Sequence, residues 1–135
     1  MEIKEITHNG MVLARYIPNA AWKKGLSFFS KDEEFIQVGA WDYDQGKVLA
    51  AHIHNQATRS ISHTQEVLYV RQGSLKASIY SPQAELITEL IIKSGDTLVL
   101  LNGGHGYTIL EEDTQVLEIK NGPYLGADID RTRIV

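Results

Sequence analysis

Short apolar runs broken by turn residues fill most of the chain from Met11 onward. MVLARYI (11–17) reads as a strand stopped at Pro18. Further runs follow: EFIQVGAWDY (34–43), KVLAAHIH (47–54), EVLYVRQ (66–72), LKASIY (75–80), ELITELIIK (85–93), DTLVLL (96–101), YTILE (107–111) and QVLEIK (115–120). Between them stand turn signals: Asp44-Gln45-Gly46, Gln72-Gly73, Ser81-Pro82, Ser94-Gly95, Asn102-Gly103-Gly104 and Glu112-Asp113. The stretch 19–33 gathers Trp22, Phe28 and Phe29 around Gly25 without a clear period, and only 19–24 reads as helix-like. Many short strands with turns at short intervals predict an all-β sandwich or closed barrel.

Composition narrows the class. The 135 residues suit one domain, 43% hydrophobic and 22% charged, as in an ordinary globular protein. A net charge of −4 argues against a nucleic-acid partner. No apolar run approaches the ~20 residues that cross a bilayer, and MEIKEITHNG lacks the pattern of a signal peptide. The chain has no cysteine, which removes disulfides and thiolate ligands and fits a cytoplasmic protein. Any metal must be held by imidazole and carboxylate.

His52 and His54 are the first candidates for that work. On a strand, residues i and i+2 share a face about 6.6 Å apart, so two imidazoles there can converge on one ion. The surroundings carry more information than the pair. Five residues stand between Gly46 and His52, Glu66 opens the next strand, and Gly73 closes a hairpin after six intervening residues. Gly95-Asp96 then leads into TLVLL, and Gly103-Gly104 precedes His105.

These spacings resemble the two motifs of the cupin superfamily. The resemblance implies a single-domain jelly-roll β-barrel over residues 1–135, with the motif-bearing core at about 46–120. It also implies one divalent ion (Fe, Mn, Ni or Zn) held by His52, His54, Glu66 and His105. EVLYVRQGSL, GGHGYTILE and LEIKNGPYLGADIDRTRI look like small bacterial cupins associated with sugar or polysaccharide biosynthesis.

The chain departs from the cupin pattern twice. NQATRSISHTQ separates His54 from Glu66 where three or four residues are usual. That loop is thermodynamically cheap, at ~0.6 kcal/mol per doubling of length. The Gly95 motif lacks its proline and is one residue short. His63 is the alternative to His54. In a regular strand over 63–70 it would face away from Glu66, which favours His54, whereas a distorted strand start would favour His63.

Further candidates surround this set. Arg59 in the long loop suits an anionic group. Glu118 and Lys120 share one face of QVLEIK and are candidates for acid-base work. Trp41, with Gln37 and Tyr43, and also Tyr107, are candidates for a pocket wall. His8 carries no signal.

The expected function is a metal-dependent enzyme on a small polar metabolite, a sugar or organic acid, and cupin chemistry includes dioxygenases, isomerases and lyases. The alternative is a non-catalytic cupin binding a carbohydrate or other small molecule. The apolar edge strand ELITELIIK would need covering, which predicts a homodimer.

Overall fold

The structure is a computed structural model that describes residues 2–134. Ten strands run β1 (Lys4–His8), β2 (Met11–Ile17), β3 (Gly25–Phe28), β4 (Gly39–Asp42), β5 (Glu66–Gln72), β6 (Ser74–Tyr80), β7 (Leu86–Lys93), β8 (Thr97–Leu100), β9 (Gly104–Ile109) and β10 (Gln115–Lys120). One 3-10 turn (Asn19–Ala21) and one helical turn, α1 (Ala127–Asp130), are the remaining elements. The fold is predominantly β, as expected.

Five strands form an antiparallel sheet in the order β1-β2-β8-β5-β10, three form a second in the order β7-β6-β9, and β3-β4 is a separate hairpin. Alternation along the strands decides what each face meets. On the large sheet Ala14, Tyr16, Leu68, Val70, Leu98 and Leu100 point one way and join Leu75, Ala77, Ile79 and Ile92 of the small sheet in the main core. The two sheets therefore pack face to face. The opposite face of the large sheet presents Ile17, Val67 and Val99, which with Leu101 are covered by Phe29 and Ala40. That second layer holds β3-β4 against the outside of the sandwich.

The outer face also carries a buried cation. Arg15 donates to Glu5 (2.6 and 3.0 Å), to both Glu34 oxygens (2.8 Å each) and to the Phe29 carbonyl (2.9 Å). Its guanidinium fork is matched by carboxylates on both sides, so the loop holding Glu34 is pinned to β2. Asp96, in the turn before β8, accepts from the Tyr16 hydroxyl and from the Asn19 and Lys93 amides at 2.8–2.9 Å.

Two turns depend on glycine. Gly73 sits at φ +83° between β5 and β6, with Thr114 packed where a side chain would be. Gly103, at φ +76°, lies against the Tyr80 carbonyl and sends the chain into β9, which carries His105.

The structure corrects several expectations. Among the described residues the barrel is not closed: β9 pairs only with β6, and β10 only with β5. KVLAAHIH (47–54) forms no strand and runs exposed. Its alternating pattern is strand-like, but a strand forms only when a neighbour takes its main-chain groups. EFIQVGAWDY shrinks to Gly39–Asp42, because the Gln37 side chain donates to the Lys31 and Glu34 carbonyls (2.9 and 2.7 Å) and holds 31–38 in a loop. Lys4–His8 adds an edge strand beside β2 that the apolar pattern did not signal.

Candidate functional site

Register sets the site. Lys120 pairs with Glu66 and Glu118 with Leu68 across β10-β5, so Glu66, Glu118 and Lys120 share the face that carries the main core. Across β6-β9, Ile79 pairs with His105 and Ala77 with Tyr107, which puts His105 and Tyr107 on the facing inner surface. These polar side chains form a layer level with Leu68, Leu100 and Ile79 of the core, their strand partners.

In that layer His105 Nε2 lies 3.5 Å from Glu66 Oε2, joining the two sheets. Lys120 Nζ lies 4.0 Å from Glu66 Oε1 and 3.7 Å from Glu118 Oε1. The Tyr107 ring stacks on the His105 imidazole at 5.4 Å. Glu66 is buried, and its Oε2 has no hydrogen-bond partner. An unpaired buried carboxylate oxygen is costly, and such groups point to a missing partner or a functional role.

Burial displaces the titrations here. It raises the Glu66 carboxyl above its ordinary value, with repulsion from Glu118 adding and Lys120 opposing. Loss of water also lowers His105, against the pull of Glu118, so the imidazole is neutral at pH 7. The Tyr107 hydroxyl is raised chiefly by burial, with Glu66 and Glu118 adding, although part of the side chain is exposed. It therefore stays a proton donor. A neutral imidazole beside a carboxylate is the form a metal ligand pair requires.

The C-terminal segment forms the rim. Thr64 donates to Asp130 at 2.6 Å, the Gln65 amide donates to Asn121 Oδ1 at 2.7 Å, and Lys120 Nζ stands 5.7 Å from the Tyr124 ring centre. Thr64, Lys120, Asn121, Tyr124 and Asp130 line a cavity of about 110 Å³ beside Glu66. A larger concavity of about 700 Å³ is only the inside of the loop His54–Arg59, with no strand for a wall. The smaller one adjoins the titratable cluster and is the better candidate for a ligand.

The expected residues thus divide. Glu66, His105, Glu118, Lys120 and Tyr107 come together. His52 and His54 lie in the exposed segment, their rings 5.0 Å apart, with His52 Nδ1 bonded to the Ala50 carbonyl at 3.0 Å. Arg59 is on the same exposed loop. Among the described residues no three His, Asp or Glu side chains converge as a metal group.

His63 precedes the strand and donates from Nε2 to the Leu101 carbonyl at 3.2 Å while packing on Phe35. Trp41 alternates with Ala40, which packs on the large sheet, so its ring turns outward. Thr64, Asn121, Tyr124 and Asp130 were not expected; only the turn residues Asn121-Gly122-Pro123 hinted at chain reversal there.

Donor chemistry and spacing test whether a metal fits. Two donors each ~2.1 Å from one ion and separated as Glu66 and His105 are would subtend ~110° at it, within the range of tetrahedral and more open sites. The orphaned Oε2 is the atom facing the imidazole. The pair fits half of a divalent site. Comparisons with protein families, curated proteins and solved structures find no match.

Proposed function

We propose that the chain is a jelly-roll cupin that holds one divalent metal through His52, His54, Glu66 and His105 and acts on a small polar metabolite, a sugar or an organic acid. The observation that carries this reading is the orphaned Glu66 oxygen 3.5 Å from a neutral imidazole across the two sheets. Mixed nitrogen and oxygen donors suit iron, manganese, nickel or zinc. A bound ion would polarise a substrate carbonyl or activate a water.

The chain's own groups complete the chemistry. Lys120 offsets the charge of Glu66 and faces the cavity, where its ammonium attracts an anionic or hydroxyl-rich ligand. Glu118, half-exposed beside Lys120, exchanges protons with solvent and serves as base or acid. The Tyr107 hydroxyl, held protonated, donates to a substrate oxygen.

The test is elemental analysis of protein purified without a histidine tag, beside His105→Ala and His52→Ala/His54→Ala. Near-stoichiometric metal in the natural chain, with at least a tenfold weaker affinity in each variant, is expected. Metal absent from all three after growth in iron, manganese, nickel or zinc would sink the reading.

A further inference from the structure

Three asparagines in the chain are followed by glycine: Asn9-Gly10, Asn102-Gly103 and Asn121-Gly122. Asparagine is a chemically labile residue, and a following glycine has no side chain to shield its backbone nitrogen from the neighbouring carboxamide. Loss of the amide nitrogen needs a carboxamide free to turn and a backbone free to bring it over that nitrogen. The fold grants both at one of the three positions.

Asn102 donates from Nδ2 to the Val12 carbonyl at 2.8 Å, and its own amide donates to the Leu13 carbonyl at 3.1 Å. Gly103 is wedged against the Tyr80 carbonyl. Asn121 accepts from the Gln65 amide at 2.7 Å and donates to the His63 carbonyl at 3.4 Å. Each of these carboxamides must abandon a distant segment before it can react. Asn9 is exposed at the tip between β1 and β2, and among the described residues its carboxamide meets only the ring of His8, 3.3 Å away. Gly10 has open space where a side chain would stand. Both tip residues have positive φ, +51° and +76°, as a two-residue hairpin turn requires. The tip opens by parting His8 from Met11, the last register pair of an edge strand held by β2 alone. Such ends fray at little cost.

We propose that Asn9 is a deamidation site selected by the fold, and that its isoaspartyl product releases β1 from the sheet. The Gly10 nitrogen attacks Asn9 Cγ, so a nitrogen–carbon bond forms while the bond from Cγ to Nδ2 breaks. The Gly10 proton leaves with Nδ2 as ammonia, and the His8 ring is placed to relay it. Water then opens the cyclic imide, at the side-chain carbonyl to give aspartate or at the main-chain carbonyl to give isoaspartate. Isoaspartate routes the main chain through the former side chain and adds a carbon to it, which a two-residue turn cannot absorb. β1 brings Ile6 to the main core and Glu5 to Arg15. Its release therefore takes away one of the two carboxylates that hold the buried guanidinium.

Folded protein is aged in mildly alkaline buffer beside protein held in urea. Peptides covering each asparagine are weighed for the gain of about 1 Da that turns an amide into an acid. In the folded chain Asn9 is expected to convert at least tenfold faster than Asn102 or Asn121, and in urea the three rates converge. Equal rates in the folded protein would overturn the selection, as would a lead for Asn9 that urea leaves unchanged. The isoaspartyl fraction, separated by ion exchange and identified by enzymatic methylation of its carboxyl, is then compared with Asn9→Asp, which adds the same charge without the extra carbon. Amide exchange across Lys4–His8 should quicken at least tenfold in the isoaspartyl fraction and stay unchanged in Asn9→Asp. Unchanged exchange in the first, or equal quickening in the second, would refute the release of β1.

Discussion

Arg15 and Glu66 are both buried charged residues on the large sheet, one on each face, and they are treated oppositely. Arg15 has every nitrogen engaged by Glu5, Glu34 or the Phe29 carbonyl. Its titration is held above its ordinary value, chiefly by the Glu34 hydrogen bonds, so the guanidinium stays charged. Glu66 has one oxygen without a partner, a lysine only at 4.0 Å, and a titration raised by burial. A saturated network holds a loop in place, whereas an unsaturated one stores a cost that a ligand can relieve. The inner face is therefore where binding is expected, and the outer face is where stability is.

Substitution should break this contrast, and the largest effect falls on the outer face. Arg15→Met leaves the half-buried Glu34 without its cation and removes the core-side end of the network, and is expected to lower stability by about 3 kcal/mol in urea unfolding. A loss below ~1 kcal/mol would mean the network is not the lock described.

Glu66→Gln should act in the other direction. It removes the carboxylate that burial disfavours and is expected to stabilise metal-free protein by about 1 kcal/mol at pH 7. The pH dependence has a definite sign. Because the folded state binds the Glu66 proton more tightly than the ordinary value of 4.5, stability falls as pH rises through the folded value. Glu66→Gln should flatten that fall in unfolding curves taken from pH 4 to pH 8. Destabilisation at every pH would place Glu66 with Arg15 as a structural group.

The smallest effect is expected from Lys120→Met. Lys120 is partly exposed, so removing it should cost less than ~1 kcal/mol. It should nevertheless move the Glu66 transition to higher pH, because the nearest cation is gone. Titration of the Glu66 carboxyl by NMR reads that shift directly, and a shift to lower pH would contradict the assigned pairing.

The strands best read from the sequence are those that find a partner in the large sheet. EVLYVRQ and QVLEIK coincide with β5 and β10, and MVLARYI with β2, because each run has a neighbouring strand to take its main-chain groups. The same periodicity misled at 47–54, since a pattern states which side chains could share a face and not whether a neighbouring strand is present. Part of the site was legible for the same reason. Glu118 and Lys120 share parity, and register places that parity beside Glu66. Nothing local could show that His105 would reach Glu66 from the other sheet, or that Thr64 and Asp130 would close the rim. Those contacts join residues more than thirty positions apart.

Sequence alone determined the all-β class, the turns, the absence of thiol chemistry and the residues able to donate to a metal, because these follow from side-chain chemistry and short-range backbone preference. Only the tertiary structure decided which donors meet, which carboxylate oxygen is left alone, and which sheet edges stay open. Those depend on how two sheets stack and on where strand pairing stops, and no single segment encodes either.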